Sequence, residues 1–127
     1  MSALINLFSD EKTDLVWKDS SGAFDLIVEH LLARRVGSSE LVLYLEEHRY
    51  NFYLDFDELP TSAIVEFRQA VYDLFCQIDA GAISEVNRRY MLISLGHLLK
   101  LAQLALHLRD AVSIPSLIEP DAIEGSA

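Results

Sequence analysis

Two periodicities of apolar and polar positions run along this chain. In SSGAFDLIVEHLLARRV, residues 20–36, the side chains Phe24, Ile27, Val28, Leu31 and Leu32 recur at i, i+3, i+4, i+7 and i+8. That spacing places them on one face of a helix. Ser20 or Ser21 can cap it by accepting a free backbone N–H. Asp25 suits the positive end of the helix dipole, Arg34 and Arg35 suit the negative end, and Gly37 is a natural stop. The pattern predicts a first helix over 21–36.

A second stripe follows Pro60, formed by Ile64, Phe67, Val71, Leu74, Phe75 and Ile78, with Glu66, Arg68, Gln69, Asp73 and Gln77 largely off it. Thr61 or Ser62 is the expected cap and Gly81 the expected stop, giving a helix over 61–80. A third helix is predicted over 84–112 and is apolar on almost every side. Leu92, Ile93, Leu95, Leu98, Leu99, Leu101, Leu104, Leu106 and Leu108 leave only a narrow polar line of Ser94, His97, Lys100, Gln103, His107 and Asp110. A helix of this kind is buried by several neighbours or by a second copy of its chain. Gly96 within it costs about 1 kcal/mol against Ala, which points to close approach of another element or to a merely tolerated glycine.

The period changes to two in YNFYLDFDELP, residues 50–60. Phe52, Leu54 and Phe56 point one way, and Tyr53, Asp55 and Asp57 the other. LVLYLEE, just before it, fits a strand pairing back on this one, with Leu41, Leu43 and Leu45 on one face and Val42, Tyr44 and Glu46 on the other. Glu47, His48, Arg49 and Tyr50 would connect them without the Asn-Gly or Asp-Gly of a tight hairpin, and a helix over Ser39–His48 is the competing assignment. Residues 1–19 are the least legible: ALINLF starts either a helix or a strand, and LVW at 15–17 fits a short strand. The tail SIPSLIEPDAIEGSA, with Pro115 and Pro120, is expected to be irregular over 113–127, with Leu117, Ile118 and Ile123 able to strap it onto the body. Together these elements predict a single domain over 1–127 of the α+β class, three helices packed on a small antiparallel β-hairpin near 40–58. An all-α bundle is the alternative.

Composition narrows the function classes. The chain has 127 residues, 51% of them apolar, enough to bury a sizeable core. No apolar run reaches the roughly 18 residues that span a bilayer. The N-terminus has neither a basic region nor a cleavage site after an apolar core, and Cys76 is the only cysteine. A cytoplasmic location is expected. Twenty acids oppose ten bases, a net charge of −10. Nucleic acid as a direct partner and an anionic membrane are disfavoured, since both are held through Lys and Arg. The charge is also localised: residues 36–67 hold Glu40, Glu46, Glu47, Asp55, Asp57, Glu58 and Glu66 against Arg49 alone.

Catalytic templates find little to match. No phosphate-binding glycine loop and no G-x-S-x-G elbow is present. Cys76 is expected to be a half-buried helical cysteine rather than a nucleophile. His97 and His107 are ten residues apart, about 80° around a helix, and do not make a metal pair. Glu46, Glu47 and His48 resemble a ligand cluster, but neighbours on a strand point to opposite faces. Asp55 and Asp57 share a strand face at roughly 6.5–7 Å, a spacing that any alternating strand provides. No metal and no cofactor is expected.

What remains is an acidic face built from Tyr44, Glu46, Glu47, Tyr53, Asp55, Asp57 and Glu58. Tyrosine supplies apolar area with few rotors, and carboxylates pair with Arg and Lys across a contact. The expected function is a small acidic, non-enzymatic module that binds a basic protein. Its most concrete form is an immunity-type inhibitor occluding a toxin such as a nuclease. The alternative is a self-associating structural or adaptor subunit, a homodimer joined through the apolar helix 91–108; the plainer alternative for the carboxylates is a solvated strand face.

Overall fold

The computed structural model describes residues 2–34, 39–81 and 83–113. The elements in order are β1 (Ser2–Ser9), β2 (Asp14–Ser20), α1 (Ser21–Arg34), α2 (Ser39–His48), β3 (Tyr53–Asp55), a 3-10 turn (Phe56–Glu58), α3 (Thr61–Asp79) and α4 (Glu85–Ser113). The class is α+β, with four helices among the described residues rather than the expected three. Gly37 and the tail residues Leu117, Ile118 and Ile123 lie outside the described residues.

The antiparallel hairpin exists, but at the N-terminus. β1 pairs antiparallel with β2 from Ser2↔Ser20 to Ser9↔Asp14. Asp10 closes the connection, accepting the backbone N–H of Lys12 (2.8 Å) and Thr13 (2.7 Å) through Oδ1, the usual service of aspartate in a turn. The pairing register shifts between Asn6 and Phe8, as at a β-bulge. Ile5, Asn6, Leu7 and Phe8 are consequently all buried in succession, without alternation. β3 joins the other edge of β1 in parallel, through Leu4↔Tyr53, Ile5↔Leu54 and Asn6↔Asp55, giving the order β2-β1-β3.

The hairpin expected at 40–58 is not formed. LVLYLEE lies in α2, where Leu41, Val42, Tyr44 and Leu45 are buried and Leu43 is exposed. A run of leucines satisfies period two and period 3.6 alike over so short a span. The chain reverses after α2 through Phe52, whose φ of +55° is left-handed for a residue with a side chain. Two contacts hold it there: the Phe52 carbonyl accepts Leu4 N–H (3.0 Å), and its ring meets Phe24 edge-on at 5.8 Å.

The helices pack much as their stripes predict. Ser20 Oγ caps α1 by accepting Ala23 N–H at 3.2 Å. At α3 the expected caps are not used: Pro60 holds the capping position, Thr61 begins the helix, and its hydroxyl accepts Arg109 Nη1 (3.2 Å). Gly81, at φ +100°, ends α3 as expected. Ile64, Phe67, Val71, Leu74 and Ile78 are buried against α1 and α4. α4 buries Met91, Ser94, Leu95, Leu98, Ala102 and Ala105, so the expected polar line loses Ser94 to the interior. Trp17 of β2 is buried and donates Nε1 to the Ser94 carbonyl at 3.1 Å. By length and composition α4 is apolar enough to cross a membrane; its most apolar window has mean hydropathy 1.4 and is 33% buried inside the fold. At Gly96 an added Cβ would meet Phe75 of α3 at 3.9 Å, an ordinary van der Waals distance, so among the described residues nothing lies close enough to require glycine there.

Candidate functional site

The carboxylates of the quoted stretch are organised by β1. Pairing of Asn6 with Asp55 in the parallel register brings the Asn6 amide beneath both aspartates. Its Nδ2 donates to Asp55 Oδ1 (2.8 Å) and Asp57 Oδ2 (2.9 Å). Ser9 adds its hydroxyl and its backbone N–H to Asp57, the latter at 3.3 Å. Asp55 Oδ1 also accepts Asp57 N–H (3.0 Å), which caps the 3-10 turn. The two acids sit close together because polar hydrogens lie between them. These hydrogen bonds close the sheet edge between β1 and the β3–3-10 turn.

Tyr44 is the second organiser, and here the expected outward orientation is overturned. On α2 it turns inward, 8% exposed, because residue 44 follows Leu41 by three on the buried face. Its hydroxyl accepts Asp55 N–H (2.7 Å) and donates to the Asp55 carbonyl (3.3 Å), a strut between α2 and β3. Burial, then the Glu58 and Asp55 charges, raises its pKa against the opposing effect of the Asp55 backbone bond. The ring stacks on His48 at 4.1 Å, and His48 Nδ1 meets the Tyr44 carbonyl at 2.9 Å.

The residues that do face outward are Glu46 and Glu47 of α2, Tyr53 of β3, and Asp57 and Glu58 of the 3-10 turn; Asp55 is half-buried. Tyr53 stands among the carboxylates: desolvation and the charges of Asp55, Glu58 and Asp57 all raise its pKa. Asp55, Asp57 and Glu58 thus lie within electrostatic reach of one ring. The sequence pattern missed Leu43. It is 59% exposed, with Glu40 at i−3, Glu46 at i+3 and Glu47 at i+4 on the neighbouring helical ridges. An apolar side chain ringed by carboxylates has the composition of a contact centre. The helical period of 39–48, once preferred over the strand, would have revealed it.

Other polar clusters serve the scaffold. Asp19 accepts the hydroxyls of Tyr90 and Ser94 and pins β2 to α4. His30 Nε2 lies 3.4 Å from Asp73 Oδ2 between α1 and α3, and Gln77 Nε2 donates to the same oxygen at 3.3 Å. Cys76 is exposed rather than half-buried, one turn after Tyr72, and its hydrogen bond raises the Tyr72 pKa. Among the described residues no group of three His, Cys, Asp or Glu side chains is placed to hold a metal ion. Two of the open depressions on the described surface are one of about 560 Å³ between α3 and α4 and one of about 250 Å³ between β2 and α4. Neither borders the acidic face.

No protein-family model, no curated protein and no solved structure matches this chain.

Proposed function

We propose that the chain is a small, acidic, non-enzymatic binding module of the cytoplasm that docks a basic protein through the α2–β3 face. Exposed Leu43 and Tyr53 among the outward carboxylates Glu40, Glu46, Glu47, Asp57 and Glu58 carry this reading. The partner surface has a matching form: an apolar side chain to cover Leu43, with Lys and Arg around it to meet the acids. Complementary charge of this kind accelerates encounter and fixes orientation, while the apolar centre supplies most of the affinity. The most concrete version is an immunity-type inhibitor whose carboxylates occupy the phosphate-binding surface of a toxin such as a nuclease. The fixed positions of Asp55 and Asp57 favour that use, since pre-ordered groups lose little entropy on binding.

The test is capture from host lysate at low salt, comparing wild type with Glu47→Lys/Glu58→Lys and with Leu43→Glu. All three substituted positions are exposed, so the fold is expected to survive. Asp55 and Asp57 are left intact because reversing them would also break the sheet edge. One basic protein, retained by wild type and lost by both variants, is the expected result. Undiminished binding by both variants would refute the assignment.

A further inference from the structure

We propose that the acidic segment following α4, residues 114–124, folds back along the groove between α3 and α4 and fills it within its own chain. The groove is the depression of about 560 Å³. Tyr72 of α3 and Leu99 and Leu104 of α4 give it an apolar lining. Tyr72 is 53% exposed and Leu104 45%, so that lining stands open. The charged residues of the lining are both cations: Arg68 on the α3 wall and Lys100 on the α4 wall. Among the described residues neither is ion-paired with a carboxylate. A groove that is apolar inside and cationic at its walls takes an aliphatic segment that carries acids.

The chain supplies such a segment next to the groove. Beyond Ser113 it carries Glu119, Asp121 and Glu124 with no Lys or Arg, and Leu117, Ile118 and Ile123 stand among those acids. Its reach fits. From Ser113, the end of α4, back along the helix to Leu104 is about 14 Å, and to Lys100 about 20 Å. In an extended chain Ile118 lies about 17 Å beyond Ser113 and Asp121 about 26 Å. Ile118 therefore comes level with Leu104 and Asp121 with Lys100, each with a few residues' slack for the reversal. Pro115 cannot continue the helix, which sets the reversal there, and Pro120 favours extended backbone in the segment that enters the groove. The return path is marked as well. Arg109 Nη1 donates to Thr61 Oγ1 at 3.2 Å, so the last turns of α4 lie against the start of α3. A chain doubling back from there crosses the first turns of α3 toward Arg68. Val65, 47% exposed and two helical turns before Tyr72 on the same face, lies on that path. So short a tether holds the segment at an effective concentration on the order of millimolar, so it outcompetes a similar segment of a separate protein.

Paramagnetic relaxation in the full chain tests this. A nitroxide is attached through Ala122→Cys in a Cys76→Ser background, and backbone amide signals are read from isotope-labelled protein. The amides of Arg68, Tyr72, Leu99 and Gln103 are expected to lose their signals, while Gly22 and Asn87, which line a separate depression toward the other end of α4, keep theirs. Two variants of the spin-labelled chain should abolish the loss: Arg68→Glu/Lys100→Glu in the groove and Ile118→Ser/Ile123→Ser in the segment. An unchanged circular dichroism spectrum confirms that each is folded, and the second pair leaves the packed core untouched. Mixing spin-labelled chains without isotope and isotope-labelled chains without nitroxide is expected to give no loss. Loss in that mixture would seat the segment on a second copy and overturn the proposal. Signal loss spread evenly over the surface, or a groove pattern that persists in either variant, overturns it too.

Discussion

Replacing Tyr44 by Phe tests the strut that holds β3 against α2. The ring and its stack on His48 are kept, so packing changes little, and only the hydroxyl is removed. That hydroxyl accepts Asp55 N–H at 2.7 Å and donates to the Asp55 carbonyl at 3.3 Å. The short bond dominates. Losing it strands a part-buried backbone donor, which costs about 1–2 kcal/mol after partial rescue by water, whereas the longer bond to the carbonyl adds little. For 127 residues the entropy of unfolding is roughly 270 cal/mol/K, so each kcal/mol moves Tm by about 4 °C. Tyr44→Phe is expected to melt about 4–8 °C below wild type at neutral pH, by circular dichroism. Alkaline pH supplies a second signature. The folded Tyr44 pKa is raised, chiefly by burial, so the native state holds its proton longer than the unfolded chain does. Stability from this group is complete below the ordinary tyrosine value of 10.0 and falls as pH climbs from there through the raised folded value. The gap between wild type and Tyr44→Phe should therefore narrow above pH 10.0. Equal melting at neutral pH, or a gap that widens with alkalinity, would refute the strut.

Gly96→Ala is expected to raise stability by about 0.5–1 kcal/mol, since the new methyl meets Phe75 only at 3.9 Å and helix propensity improves; a lower urea midpoint would contradict that. Gly81→Ala should do the reverse, costing about 1 kcal/mol or more because φ there is +100°. Trp17, the single tryptophan, is 1% exposed; its fluorescence should be blue-shifted and resist acrylamide until the chain unfolds. Asn6→Ala should cost about 2–3 kcal/mol in chemical denaturation, because it leaves two carboxylates side by side without their shared donor.

The three long helices were legible: α1 and α3 each carry a stripe at 3.6-residue spacing, α4 is a long apolar run broken only by a narrow polar line, and Ser20 and Gly81 mark ends where expected. The inward set Phe52, Leu54 and Phe56 was legible too: Leu54 and Phe56 are fully buried, although residues 56–58 turn out to be a 3-10 turn. β1 was obscured by its register shift, which buries four consecutive side chains and erases the alternation that announces a strand. The α2 segment was obscured by leucine itself, which is apolar in either period. That one choice of period determined the candidate site: as a strand it exposed Tyr44 and buried Leu43, and as a helix it does the opposite. No local pattern in the chain announces that Asn6 stands beneath Asp55, because parallel pairing across 49 residues leaves no trace in neighbouring positions.

The two proposed contacts rest on different parts of the molecule, and this makes them separable. The docking face belongs to α2 and β3, whereas the groove lies between α3 and α4. They are also opposite in charge: carboxylates surround Leu43, and Arg68 and Lys100 flank the groove. The acidic segment after α4 is therefore repelled by the docking face, and a basic partner by the groove. Independence has a sharp consequence. Glu47→Lys/Glu58→Lys should lose the basic partner yet keep the groove pattern of signal loss. Arg68→Glu/Lys100→Glu should release the segment yet keep the partner. Measuring both variants in both assays separates the cases: if one pair of substitutions abolished both behaviours, the two faces would share a surface, and the division between an acidic docking side and a groove filled by its own chain would fall.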